Sequence, residues 1–174
     1  MRVILPGDME GIYNLHLEGI DAAMETVYIP KPKDVVIGKI IAEKKNVAYI
    51  VDISSFYAMS IMIRGLEIKL NVGDYVIGVV SQSGETLENI RLLRNGVVYR
   101  VPESKVGRIV GSKGEMLKLI EKLSNSKLEV GRNGVIWIGK GDFSRAIDII
   151  NTIVRRAHIR GLTDYIMKNF GDSR

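Results

Sequence analysis

The chain has 174 residues, with 25 Lys and Arg against 20 Asp and Glu, a formal net charge of +5, and no cysteine. Disulfide frameworks, thiolate zinc sites and cysteine nucleophiles are therefore excluded, and 46% hydrophobic residues supply enough apolar material for packed cores. The charge is uneven: residues 1–96 carry 10 basic and 12 acidic side chains, residues 97–174 carry 15 and 8, for nets of −2 and +7. A segment that basic attracts phosphate backbones through counterion release, although an ordinary lysine-rich surface gives the same excess.

In chain order, the opening run Met1-Arg2-Val3-Ile4-Leu5 is broken by Pro6-Gly7-Asp8, too early for a secretory signal. No later stretch reaches the roughly 18 apolar residues of a membrane span. The expectation is a soluble, cytoplasmic protein with no membrane partner. Pro30-Lys31-Pro32-Lys33 locks two φ angles and removes two donors, which sets a boundary near residue 33. Short segments rich in β-branched residues follow at 35–42, 47–53, 58–63, 74–80 and 87–93, separated by turn-forming groups. Five such strands in about 60 residues predict a small closed barrel, of which the oligonucleotide-binding (OB) fold is the commonest five-stranded kind.

The period changes after Asn95-Gly96. Residues 97–101 alternate as one more strand ended by Pro102, and then Met116, Leu117, Ile120 and Leu123 share a helical face. Strands over 127–130 and 135–138 flank the turn Gly131-Arg132-Asn133-Gly134. A long helix starts at Asp142 with Phe143, Ala146, Ile147, Ile150, Val154 and Ala157 as its apolar stripe and is expected to close at Gly161. Residues 162–170 add a short helical piece. The predicted order is strand, helical segment, helix, strand, strand, helix.

The segment with chemical content is Ile109-Val110-Gly111-Ser112-Lys113-Gly114-Glu115-Met116, where one helical segment hands over to the next. Gly111 and Gly114 let a sugar–phosphate backbone approach the main chain and tolerate a tight turn. The following helix offers free N–H groups and its positive end, and Lys113 and Arg108 add cations. In a βααββα order this is the GXXG clamp of a type I KH domain, which grips about four unpaired nucleotides. A Walker loop fails on spacing, because Gly107 and Gly111 are too close and Ser-Lys follows. A dinucleotide fingerprint fails because no glycine lies two positions from Gly111.

Catalytic groups are scarce. His16 and His158 fall in different expected domains, and neither has a partner at metal-ligand spacing. Trp137 lies among apolar neighbours and is expected in the core. Arg155, Arg156 and Arg160 either extend the basic surface or belong to a solvated helix face. No cofactor, metal or catalytic residue is expected.

Almost the whole chain resembles a known family, the RNA-binding cap subunits of the archaeal exosome. The resemblance rests on Tyr28-Ile29-Pro30 with residues 34–40, on Val51-Asp52-Ile53-Ser54-Ser55-Phe56-Tyr57-Ala58, and on Gly73-Asp74-Tyr75-Val76-Ile77. It continues through residues 108–116, residues 130–138, and Ala157-His158 with Gly161-Leu162-Thr163-Asp164. It implies a multidomain β plus α+β protein: an N-terminal, ring-anchoring β segment over 1–33, a five-stranded OB-type barrel over 34–95 and a type I KH domain over 96–174. It also implies partners: single-stranded RNA, a hexameric ring of RNase PH-like subunits that degrades RNA from its 3′ end, and two further cap subunits completing a trimeric cap.

The expected function is thus a non-catalytic subunit that binds single-stranded RNA and guides it to that ring. The expected RNA-binding residues are Arg108, Gly111, Ser112, Lys113, Gly114 and Arg132, with Tyr49, Phe56, Tyr57 and Arg64 of the barrel as further candidates. The N-terminal β region and the segment from Met59 to Leu70 are shorter than the resemblance predicts, and for Tyr49, Phe56, Tyr57 and Arg64 the alternative assignment is barrel core for the aromatics and solvated surface for the arginine. One alternative is a transcription or translation factor built of the same modules, although such elongation factors usually carry two KH domains. Another is part of a phosphorolytic nuclease, which would need a large catalytic region not found here.

Overall fold

The computed structural model describes residues 27–171. His16 and most of the expected ring-anchoring segment lie outside the described residues. Within 27–33, Tyr28 forms a parallel bridge with Ser55, and its hydroxyl donates to Asp34 Oδ2 at 2.6 Å. Burial, and then the bond to Asp34, push that phenol well above the usual tyrosine range.

The first sheet comprises β1 (Val35–Lys44), β2 (Ala48–Asp52), β3 (Met59–Met62), β4 (Tyr75–Val80) and β5 (Leu87–Leu93), antiparallel in the order β3-β2-β1-β4-β5. The sheet curls until its two edges meet: Ser60 and Thr86 form a parallel bridge, and the Ser60 amide donates to Glu85 O at 3.1 Å. The period-2 alternation explains the curl. Val36, Ile40, Val51, Ile53, Met59, Val76 and Val80 fill the interior, while Ile37, Tyr75, Ile77 and Leu93 point to the outer face.

The second sheet comprises β6 (Gly96–Arg100), β7 (Lys127–Val130) and β8 (Val135–Gly139) in the order β6-β8-β7. The helices α1 (Glu103–Val110), α2 (Glu115–Ser124), α3 (Phe143–Arg155) and α4 (Leu162–Phe170) accompany it. Their apolar residues, among them Ile109, Ile120, Ile147, Ile150 and Ile166, pack with Val97, Tyr99, Ile136 and Ile138 into one core. Asp142 caps α3 by accepting from the Arg145 amide at 2.9 Å.

One element differs from its expected extent. The long helix stops at Arg155 rather than at Gly161; Gly161, left-handed at φ 72°, instead begins α4. The reversal between them brings Leu162 and Ile166 back onto the same core, which a straight continuation would carry away from it.

The outer face of β8 explains why Val135–Ile138 is apolar without alternation: both its faces are covered. Ile136 and Ile138 meet the helices, while Val135 and Trp137 meet Ile37, Tyr75, Ile77 and Leu93 of the barrel. The β7–β8 turn plugs this junction. The buried Asn133 side chain accepts from the Ile37 amide at 3.3 Å and donates to the carbonyls of Ile37 and Ile53, each at 2.8 Å. The Arg132 amide donates to Val35 O at 2.7 Å, and Arg91 pairs with Glu129 at 2.7 Å across the same boundary. Gly134 is left-handed, and any Cβ there would strike Val101 O.

Asn133→Ala leaves three buried backbone groups without these partners, so it should lower stability by about 3 kcal/mol. The urea midpoint followed through the fluorescence of Trp137, the sole tryptophan and itself at the junction, measures this. A loss below about 0.5 kcal/mol, the size of an ordinary surface substitution, would contradict the plug.

Candidate nucleic-acid interface

The handover between α1 and α2 is built from backbone conformations that few residues adopt. Gly111 ends α1 at φ 73°, ψ 177°, a region open essentially only to glycine, while its amide still donates to Gly107 O at 3.0 Å. A Cβ there would lie 2.7 Å from Met116 Cβ and 2.8 Å from Met116 N. A single 3-10 turn (Ser112–Gly114) follows, with Lys113 left-handed at φ 50°, ψ 24°. Gly114 then starts α2 at φ 77°, ψ 15°.

This geometry puts Ser112 and Lys113 on an exposed tip and leaves the first turn of α2 without a side-chain cap. The amides and positive end of that helix are therefore open to an anion. Arg108, exposed in the last turn of α1, adds a second cation beside Lys113. Glu115, in the first turn of α2, opposes them with one negative charge.

A residue the sequence reading passed over belongs to the same surface. Gly107 lies one turn before Gly111 within α1, exposed, and a Cβ added there would meet nothing within 4 Å. Glycine inside a helix costs roughly 0.5–1 kcal/mol relative to alanine, and no packing accounts for it. The signal was present as a glycine between Val106 and Arg108 in a helical window. Together with Gly114, whose surroundings are equally open, it leaves a side-chain-free strip along the clamp.

The other expected residues fall elsewhere. Arg132 is exposed, but its turn packs on the barrel, and Gly134 lies against Val101 and Glu103, where α1 begins. The clamp lies where α1 ends, eight residues or about 12 Å further on. The turn that carries Arg132 is tied to the root of the β2–β3 loop instead, because Asn133 bonds to Ile53 there. Phe56 and Tyr57 on this loop are 76% and 51% exposed. The loop is held by the Ser54 amide donating to Asp52 Oδ1 at 2.7 Å and by the Tyr28–Ser55 bridge.

Tyr49 leaves the set. It is only 6% exposed and packs in the barrel core with Val51 and Ile61, with no ring face for a base. Arg64 is exposed but follows Ile63, whose amide bonds Val47 at the opposite end of β2 from Phe56 and Tyr57. Arg108, Gly111, Ser112, Lys113 and Gly114 thus fall together at the α1–α2 handover, while Arg132 lies in the turn that meets the barrel and Phe56 and Tyr57 lie on the exposed β2–β3 loop. His158 is exposed and belongs to neither. Among the described residues no group of His, Asp and Glu could hold a metal ion, and no helix is long and apolar enough to cross a membrane.

The glycines make an ordered prediction. Gly111→Ala should destabilise by about 2 kcal/mol or more, since it combines a glycine-only conformation with a collision. Gly114→Ala should cost about 1 kcal/mol, for its left-handed φ alone. Gly107→Ala should stabilise by about 0.5–1 kcal/mol while weakening RNA binding. Thermal unfolding of the three variants tests the order, and a destabilising Gly107→Ala would show a packing role.

Comparison with known proteins follows the same outline. The KH domain family matches residues 96–152. An exosome complex component Rrp4 from Thermosphaera aggregans is 32% identical over 91% of this chain and 73% of its own length. A second Rrp4, from Methanothermus fervidus, is 34% identical over 80% of this chain and 70% of its own. A solved structure, titled as an exosome complex RNA-binding protein, superposes with a TM-score of 0.68 at 27% identity, covering 82% of this chain and 94% of that one. A KH domain over the second sheet, with 32–34% identity over most of both chains, assigns the chain to the Rrp4 family of exosome complex components.

Proposed function

We propose that this chain is a non-catalytic RNA-binding cap subunit of the archaeal exosome, which holds single-stranded RNA and presents it to a phosphorolytic 3′–5′ exoribonuclease. The observation that carries the reading is the uncapped start of α2 beneath an exposed Ser112–Lys113 tip, in a member of the Rrp4 family. The main chain at Gly111 and Gly114 receives the ribose–phosphate backbone, the free amides at the start of α2 donate to a phosphate, and Lys113 and Arg108 neutralise its neighbours. Bases lie along the strip left by Gly107.

Arg132, Phe56 and Tyr57 form a second contact, at which the strand leaving the clamp meets the barrel. Two adjacent aromatics stack on bases regardless of sequence, and the guanidinium takes a phosphate. The protein supplies position and charge rather than bond-breaking groups. Its cytoplasmic location, its seating on a hexameric ring of RNase PH-like subunits and its partnership with two other caps belong to this proposal through the family resemblance.

Ser112→Asp combined with Lys113→Asp tests the clamp. It places two negative charges where phosphates are received, so affinity for a single-stranded RNA of about five nucleotides should fall at least tenfold. Far-UV circular dichroism should stay unchanged because both side chains are exposed. Unaltered affinity at moderate salt would remove the clamp from the mechanism. Added alone to RNA and inorganic phosphate, the wild-type chain should release no nucleotides.

A further inference from the structure

A second concentration of positive charge lies outside the clamp and the junction. Arg155 closes α3, and Arg156, His158 and Arg160 follow in the reversal before α4; all four are exposed. Among the described residues no carboxylate lies within ion-pair distance of Arg155, Arg156 or Arg160. The Arg156 guanidinium lies over the Tyr165 ring, 4.3 Å from its centroid, a cation–π contact that fixes where its charge sits.

The position of this patch follows from the contacts of α3. The helix begins beside the end of α2, where the Asp142 amide donates to Ser124 O at 2.9 Å. It ends near Tyr99, whose hydroxyl donates to Asn151 Oδ1 at the end of β6 that leads into α1. The patch therefore lies at the end of the domain where α1 starts, and the clamp lies where α1 finishes. A helix C-terminus favours cations, which accounts for Arg155 and Arg156 but not for Arg160, five residues beyond the end of α3.

We propose that Arg155, Arg156 and Arg160 form a second phosphate-binding surface for single-stranded RNA, engaged only by strands longer than the clamp can hold. The proposal rests on the RNA-binding reading above and extends it. A clamp that covers about four nucleotides leaves the rest of a longer strand free, and an unpaired arginine patch on the same domain is complementary to its backbone.

The test compares two RNAs on the full chain, one of about five nucleotides and one of about 30, across a salt series. Arg155→Glu, Arg156→Glu and Arg160→Glu together should lower affinity for the long strand about tenfold and reduce its salt slope by about 2, leaving the short RNA unaffected. The matching glutamine variant should give the same pattern, weaker, and decides the matter should charge reversal unfold the protein. Equal binding of the long strand by wild type and both variants would overturn the proposal and leave the patch to solvent or to an acidic polypeptide. Failure of the clamp reading is distinguishable, because it would appear as an unchanged short-RNA affinity in the Ser112→Asp, Lys113→Asp protein.

Discussion

The plug of Asn133 into the barrel is the contact on which the rest of the arrangement depends. One side chain satisfies the amide and carbonyl of Ile37 and the carbonyl of Ile53. These groups would otherwise be buried without a partner, at roughly 1–3 kcal/mol apiece. Because the bonds are directional, they fix the rotation of the KH sheet on the barrel, which the apolar contact of Trp137 and Val135 with Ile77 and Leu93 would leave loosely defined. A hydrophobic face sets how much surface is buried; the amide sets in which register. The distance between the clamp and the exposed aromatics of the β2–β3 loop then becomes a property of the fold rather than of a linker.

The glycines near the clamp divide into two kinds. At Gly111 the backbone itself demands glycine, since both its dihedrals and the proximity of Met116 exclude a side chain. At Gly107 the surroundings are empty and the backbone is helical, so the absence of a side chain there serves something approaching from outside; Gly114 is equally open, but its left-handed φ of 77° itself favours glycine. Strain at the first position shapes the turn, and openness at the other two makes it accessible. Local instability of this sort persists only where the surrounding core holds it, and Ile109 and Met116, both buried on either side of the turn, supply that.

Much of this was legible in the sequence because period and punctuation report on local structure. The barrel strands read clearly from β-branched alternation, and the KH element order from the change to a 3.6-residue period. The same alternation places Tyr49 on the face of Val51 and Ile53, which is why barrel core stood beside base stacking as its assignment, and its burial decides for core. The role of Asn133 was not readable. Gly131-Arg132-Asn133-Gly134 announces a hairpin, but its partners lie 80 and 96 residues away in the chain, and no local pattern encodes them. The end of α3 was hidden for a similar reason: nothing at Arg156 breaks a helix, and the stop is imposed by the packing of α4.

The chemistry of the clamp bears on what kind of RNA the protein can select. In the proposed clamp, amides, glycine main chain and cations are set to receive the ribose–phosphate chain, which is the same for every sequence. Phe56 and Tyr57 present ring faces, which also accept any base. A guanidinium fork such as that of Arg108 or Arg132 reads a guanine edge bidentately where it reaches one, so backbone contact and base contact are both within the chemistry of these residues. Strandedness is selected more directly: a duplex cannot bring its stacked bases to a side-chain-free turn, whereas a flexible single strand can.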